Sequence, residues 1–160
     1  MTTIRRYRDE DRSHLRELAC QSYRAMQPGA AAVKPDSPEV ETYFKHLVDT
    51  DSSATGCLFV AETSEGLIGL VCLQGPIPDP VTDAGARPYA FMSDLFVAAP
   101  FRRRGIGRRL VRQAEDHASA LGVGRLALRV DSGNAAARTF YTGAQYREDF
   151  VVMSKALGQP

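Results

Sequence analysis

The chain has 160 residues, 44% of them apolar and 24% charged, with a formal net charge of +1 from 20 Lys+Arg against 19 Asp+Glu. This length and balance suit a single domain over residues 1–160 with its own core, and the near-neutral charge argues against a dedicated nucleic-acid binder. Cys20, Cys57 and Cys72 lack CxxC spacing and lie in apolar stretches, so buried free thiols are expected, and a disulfide framework or metal site is not.

The N-terminus, MTTIRRYRDED, has no apolar core of signal-peptide length. No later run approaches a membrane span, so no membrane association and a cytoplasmic location are expected. Thr3 to Tyr7 is predicted as a short strand, and Asp9 or Asp11 as the cap of a helix running to about Met26. Its inner face is Leu15, Leu18, Ala19, Ser22 and Met26, at helical spacing. Pro28 and Gly29 break it, and Gly29–Asp36 is loop-like. Ser37-Pro38 then forms a cap followed by a first-turn proline, with Val40, Tyr43, Phe44, Leu47 and Val48 on the inner face of a second helix.

Cys57–Thr63 and Leu67–Leu73 are apolar runs of strand length joined by the turn signal Ser64-Glu65-Gly66. Gly75–Pro88, with Asp79 and Asp83, is predicted as a long loop. Tyr89–Ala98 is a third apolar strand. A helix follows from Ile106, with Leu110, Val111, Ala114, Ala118 and Leu121 on one face and Gly122 as its stop. Arg125–Asp131 alternates as a strand, Asn134 caps a last helix with Ala137, Phe140, Tyr141 and Ala144 inside, and Tyr146–Leu157 supplies one or two final strands. Three consecutive strands argue for an antiparallel part of the sheet, and the strand-helix-strand unit from Tyr89 to Asp131 argues for one parallel pair. The fold class is therefore α/β with a mixed, mostly antiparallel sheet flanked by helices.

The stretch PFRRRGIGRRLV, Pro100–Val111, places Gly105-Ile106-Gly107 between a strand and a helix. The first amides of a helix lack backbone partners, and the helix dipole favours negative charge there. Glycine allows close backbone approach, so the turn reads as an anion site. Leu110 stands where a dinucleotide fingerprint needs a third glycine, and the Gly-Lys-Ser/Thr of a P-loop is absent.

Arg102-Arg103-Arg104-Gly105-Ile106-Gly107 resembles the Arg/Gln-x-x-Gly-x-Gly/Ala motif of the GCN5-related N-acetyltransferases. Asp94-Leu95-Phe96-Val97 and Pro100 are similar to the strand that leads into it, and Asn134 to Tyr141 resembles the family's later Asn-x-x-Ala-x-x-Phe-Tyr. The resemblance is strongest over Tyr89–Tyr146. The Gly-Phe that usually follows in the family is replaced by Gln145-Tyr146, with Gly143 falling earlier. The resemblance implies acetyl-CoA as co-substrate and an acyl-CoA N-acyltransferase fold. It implies that the turn holds the pyrophosphate, carried here onto Arg103, Arg104, Gly105, Ile106, Gly107 and Arg108, with Arg102 among the arginines available to the phosphates. It further implies that the backbone of Leu95, Phe96 and Val97 pairs with the pantetheine arm, that Asn134 touches this arm, and that Tyr141 sits near the thioester sulfur.

The expected reaction is transfer of acetyl to an amine, small or on a peptide, by direct attack in a ternary complex, since no Ser-His-Asp or Cys-His motif is present. A protonated amine must first lose a proton. Asp94 is the one acid in Tyr89–Ala98, and by alternation it shares a face with Met92 and Phe96. That apolar setting would favour its neutral form and suit a base working near neutrality. Backbone amides of Leu95–Val97 are the candidate oxyanion donors, and Tyr141 the proton donor to the leaving thiolate. His14, His46 and His117 are scattered and read as surface or core histidines. A non-catalytic CoA sensor with the same fold is the alternative reading. The acceptor region is assigned to about Tyr23–Phe44 and Gly75–Pro88, and a homodimer is the assembly to expect if the chain associates.

Overall fold

A computed structural model describes residues 1–78, 88–149 and 152–156, which fall into two units, Met1–Arg129 and Val130–Pro160. The first unit contains β1 (Thr3–Arg6), α1 (Arg12–Met26), α2 (Pro38–Ser52), β2 (Gly56–Thr63), β3 (Gly66–Ile77), β4 (Tyr89–Val97), α3 (Ile106–Ala120) and β5 (Arg125–Leu128). The strands form one sheet in the order β1-β2-β3-β4-β5. The first three neighbouring pairs are antiparallel, and β4 and β5 are parallel. The mixed sheet expected from the sequence is therefore present, with α3 as the crossover that a parallel pair requires.

Register assigns the two faces of the sheet. Leu58 and Val60 lie opposite Cys72 and Leu70, and all four join Leu15, Leu18 and Ala19 of α1 and Phe44 and Leu47 of α2 in one core. The other face carries Phe59, whose ring meets His117 of α3 edge-on at 5.5 Å. There α3 buries Ile106, Leu110, Val111, Ala114 and Ala118. Each large apolar side chain removed from water in these layers stabilises the fold by about 1.5–3 kcal/mol.

Local signals account for the helix starts. The Ser37 hydroxyl accepts from the Val40 amide at 3.4 Å, with Pro38 opening α2. At the entry to α1, Arg5 of β1 donates to both Asp11 oxygens at 2.7 Å and to Glu62 of β2 at 2.7 Å. Asp11 also accepts from the Arg8 amide at 2.9 Å. One guanidinium thus ties the first strand to its neighbour and to the first helix. Cys20, Cys57 and Cys72 are buried free thiols, as expected. No described helix is long and apolar enough to cross a membrane.

Some boundaries differ from expectation. β3 runs to Ile77, into the stretch predicted as loop, while Asp79 and Asp83 lie outside the described residues. β5 ends at Leu128 instead of Asp131. Met26 and Leu121, assigned to inner helix faces, are exposed at 49% and 37% because each stands at its helix's C-terminal end, beyond the layer it covers.

In the second unit, α4 (Ala135–Gly143) begins where the Asn134 side-chain oxygen accepts from the Ala137 amide at 3.0 Å. Tyr141 meets the rings of Phe140 and Tyr146 at 5.1 and 5.5 Å. The final strands expected within Tyr146–Leu157 are not present among the described residues 146–149 and 152–156. A strand needs a ladder partner, and Val152 and Met153 instead stand exposed at 77% and 90%.

Candidate active site

The site grows from an irregularity in β4. On one side β4 pairs with β3 along most of its length, but on the other it pairs with β5 only over Tyr89–Met92. From Ser93 onward no described strand continues that edge. The Ala98 amide donates to Ile68 at 2.9 Å, toward β3. By alternation the Phe96 amide also faces β3, and those of Leu95 and Val97 face the open edge. Of the three residues expected to offer backbone there, two therefore present their N–H groups. The Val97 carbonyl, pointing the same way, accepts from Arg102 Nε at 2.8 Å.

The pairing of β3 with β4 skips one residue: Leu73 faces Met92 and Cys72 faces Asp94, so Ser93 is extra. Such a bulge reverses the alternation beyond it. Asp94 therefore does not share a face with Met92, as simple alternation predicted. It lies with Cys72, Leu70 and Phe96 on the face covered by α1 and α2. Its setting is also polar where an apolar one was expected. The Tyr43 hydroxyl donates to Asp94 Oδ1 at 2.8 Å and sits 3.2 Å from Ser22 Oγ. His46 Nε2 stands 3.5 Å from Oδ2. The Asp94 side chain is only 9% exposed, and Oδ2 is closed off from solvent without a hydrogen-bond partner among the described residues. Burial, then the Asp94 charge, pushes the Tyr43 phenol well above its ordinary range. Burial, again with Asp94 beside it, pushes the Cys72 thiol up to about 12. Both keep their protons at neutral pH, so Tyr43 can serve Asp94 only as a donor.

Tyr43 and His46 were missed as site residues. They are three apart on α2 and so project from one side of that helix. A polar pair at that spacing, beside the apolar stripe Val40, Phe44 and Leu47, was the available signal.

The glycine turn adds the second half. Arg103 and Gly105 both adopt left-handed backbone, with φ of 63° and 77°. The first helical bond of α3 runs from the Arg109 amide to Gly105 at 3.1 Å, so the amides of Ile106, Gly107 and Arg108 precede the ladder. No side chain caps them, and the first turn holds no acid. Arg108 and Arg109 occupy it instead, the reverse of what the helix dipole favours. A Cβ built on Gly105 would meet nothing within 4 Å, so open space lies beside these amides. Arg103, Arg104 and Arg108 are exposed, and Arg104 lies 5.6 Å over the Phe101 ring. Arg102 lies 5.5 Å over Phe96, tying the turn to the end of β4. Uncapped amides, open space and exposed cations suit a diphosphate.

In the second unit, Asn134 uses its side-chain oxygen as a cap. Burial pushes the Tyr141 phenol up to about 12, so it holds its proton through the neutral range. Among the described residues no group of three His, Cys, Asp or Glu could hold a metal ion.

The described sheet is antiparallel from β1 to β4 and opens into one parallel pair, β4–β5, with an uncapped turn at the head of the crossover helix. The chain belongs to the Acetyltransferase (GNAT) family, whose model matches residues 13–144. Among solved structures, a transcriptional regulator from Bacillus halodurans C-125 is similar with a TM-score of 0.77 at 18% identity, covering 98% of this chain and 100% of that one. The acetyltransferase AAC(6')-Iy, in complex with the bisubstrate analogue CoA-S-monomethyl-acetylneamine, is similar with a TM-score of 0.75 at 16% identity, covering 99% of each chain. An aminoglycoside acetyltransferase, meta-AAC0020 from an uncultured soil metagenomic sample, gives 0.72 at 18%, covering 98% of this chain and 97% of that one. At these identities the likeness is one of fold. No curated protein matches the chain significantly.

Proposed function

We propose that the protein is an N-acetyltransferase that passes the acetyl group of acetyl-CoA directly to an amine acceptor, as one domain spanning residues 1–160. The observation that carries this reading is the uncapped start of α3, with Gly105 in left-handed backbone and open space beside its amides, next to the edge of β4 that no described strand pairs beyond Met92. In the proposed complex the amides of Ile106, Gly107 and Arg108 bind the diphosphate, and Arg103, Arg104 and Arg108 neutralise its charge. Arg102 positions the turn through its bond to Val97.

The Leu95 and Val97 amides bind the pantetheine arm as an added strand would. One of them stabilises the oxyanion, a contribution of roughly 3 kcal/mol for a single such donor. By the family resemblance, Asn134 is assigned to the arm, with an NH2 group that its cap does not use, and Tyr141, protonated at neutral pH, is assigned to the leaving sulfur as its proton donor. Asp94 directs the acceptor-side proton chemistry.

Acetyl-CoA titration by calorimetry, followed by thiol release over a panel of amines, tests the reading. Micromolar binding with release supports it. Binding without release on any amine would favour a CoA sensor, and no binding would remove the site assignment altogether.

A further inference from the structure

We infer that His46 is the group that takes the proton from the acceptor amine, and that Asp94 is a positioning residue behind it. This rests on the acetyltransferase reading and names the base within it. Asp94 cannot meet an ammonium itself. Oδ1 is occupied by the Tyr43 hydroxyl, and Oδ2 is closed off from solvent. The nearest basic group to Oδ2 is the His46 imidazole, whose side chain is 47% exposed against 9% for Asp94. The carboxylate is thus sealed on the protein side and opens only toward a histidine that solvent and substrate can reach.

The chemistry follows from the tautomer. A carboxylate facing Nε2 holds the imidazole proton there and leaves the Nδ1 lone pair free. At 3.5 Å the contact is longer than an ordinary N–H···O hydrogen bond. A small rotation of the ring closes it, and such contacts often tighten only in the substrate complex. Tyr43 holds the other carboxylate oxygen, so Asp94 cannot turn away. The titratable groups facing Asp94 are Tyr43 and His46 of α2 and Cys72 of β3, with Tyr23 of α1 against the Tyr43 ring at 6.4 Å. Among these the imidazole is the group with a ring nitrogen lone pair that can accept a proton.

The step balances. His46 Nδ1 takes one proton from the ammonium and later passes it to water. The freed nitrogen lone pair forms the C–N bond as the carbonyl π pair moves onto oxygen. On collapse the C–S bond breaks with its pair on sulfur, which takes a proton from its donor to leave as the CoA thiol, and the nitrogen's second surplus proton restores that donor through water.

The test uses the full chain, with His46→Gln, His46→Ala and Asp94→Asn beside the unaltered protein. Acetyl-CoA binding is read by calorimetry, and thiol release is followed from pH 6 to about 10 with neamine, spermidine and a lysine peptide as acceptors, a span that reaches the usual range of amine titration. His46→Gln should lower kcat/KM at neutral pH by about 100-fold or more, the usual contribution of a general base. Its deficit should shrink as the pH rises toward the amine's own titration, where the acceptor arrives deprotonated. CoA affinity should stay within about twofold. Imidazole in the buffer should restore part of the His46→Ala rate, and Asp94→Asn should lower kcat with the acetyl-CoA KM unchanged. Wild-type turnover in His46→Gln, or a deficit that is flat with pH and unanswered by imidazole, would overturn the assignment of His46 alone. Thiol release from none of the amines with the unaltered protein would overturn the acetyltransferase reading, and this inference with it.

Discussion

Gly105 and Gly122 offer a matched pair of substitutions at the two ends of α3. Their φ angles are 77° and 72°, and a Cβ on either meets nothing within 4 Å. The cost of alanine is therefore one of backbone alone, about 1–2 kcal/mol for a left-handed L-residue. With a urea slope of about 2 kcal/mol/M, the middle of the usual range, each variant should lose roughly 0.5–1 M in midpoint, and by similar amounts. Their effects on CoA should separate. At Gly105 the added methyl stands beside the amides of Ile106, Gly107 and Arg108, where the diphosphate is proposed to bind. Displacing it from about two charge-assisted hydrogen bonds, at 1.5–3 kcal/mol each, predicts roughly 3 kcal/mol or more. That is at least about a hundredfold in dissociation constant. Gly122→Ala should bind CoA as the unaltered protein does, since Gly122 ends the helix and faces no proposed ligand. Urea melts and calorimetry on both variants make the comparison. Equal CoA affinity in two equally destabilised proteins would refute the assignment of the turn, because strain would then be the whole role of the glycine.

Three further outcomes follow from other parts of the structure. Asp11→Ala should cost about 3 kcal/mol, the low end for a broken buried pair, because Glu62 still holds Arg5 Nε. The Arg5 guanidinium holds the Asp11 carboxyl below its usual range. The contribution is therefore present above the unfolded value near 4 and is lost as the pH falls through the folded one, so the gap between variant and parent in melts should be narrower at about pH 3 than at pH 7. The thiols predict the opposite limb. Burial raises Cys57 to about 11 and Cys72 to about 12, both from an unfolded value near 9. Their stabilisation is complete below about pH 9 and falls above it by roughly 1.4 kcal/mol per pH unit per thiol, until the folded values are reached. Cys72→Ala should flatten this decline in urea melts at about pH 10. Tyr43→Phe removes the donor to Asp94 Oδ1 and should destabilise the fold by about 1–3 kcal/mol. It should also lower kcat more than the acetyl-CoA KM, measured by thiol release.

The legible parts of the fold were those set by neighbouring residues. Ser37-Pro38 announces α2 because a hydroxyl cap and a fixed φ act within one turn. The β2–β3 hairpin is announced by a glycine turn between two apolar runs. The turn before α3 was legible for the same reason: uncapped amides and left-handed glycine are properties of Arg102–Arg108 itself. The Asp94 cluster was not. Its members come from α1, α2 and β4. The residue that brings them together, Ser93, is recognisable only against the register of β3. Pattern reading put Asp94 beside Met92 because alternation assumes an unbroken ladder. His46 read as one of three scattered histidines because its partner is 48 positions away, at Asp94. Among the described residues 146–149 and 152–156 the final strands are absent for a related reason. Alternation in Tyr146–Leu157 shows that a strand is possible, but only a partner makes one.

The extra residue at Ser93 also explains why one strand can serve both halves of the proposed reaction. Without it, strict alternation would place Asp94 on the face of Met92, toward α3, and away from Tyr43 and His46. With it, the Asp94 side chain turns to the α1–α2 layer, and the amides of Leu95 and Val97 fall on the edge that β5 leaves open. In the proposed complex the amine therefore approaches from the α2 side, past His46, and the thioester lies along the edge of β4. The diphosphate is held one short turn further along the chain, at the head of α3. A bulge costs the ladder a pairing, and bulges are over-represented beside active sites because they re-aim side chains. Here the re-aimed residue is a buried carboxylate that meets Tyr43 and His46 of α2, so in the proposed enzyme the irregularity serves the proton chemistry of the site.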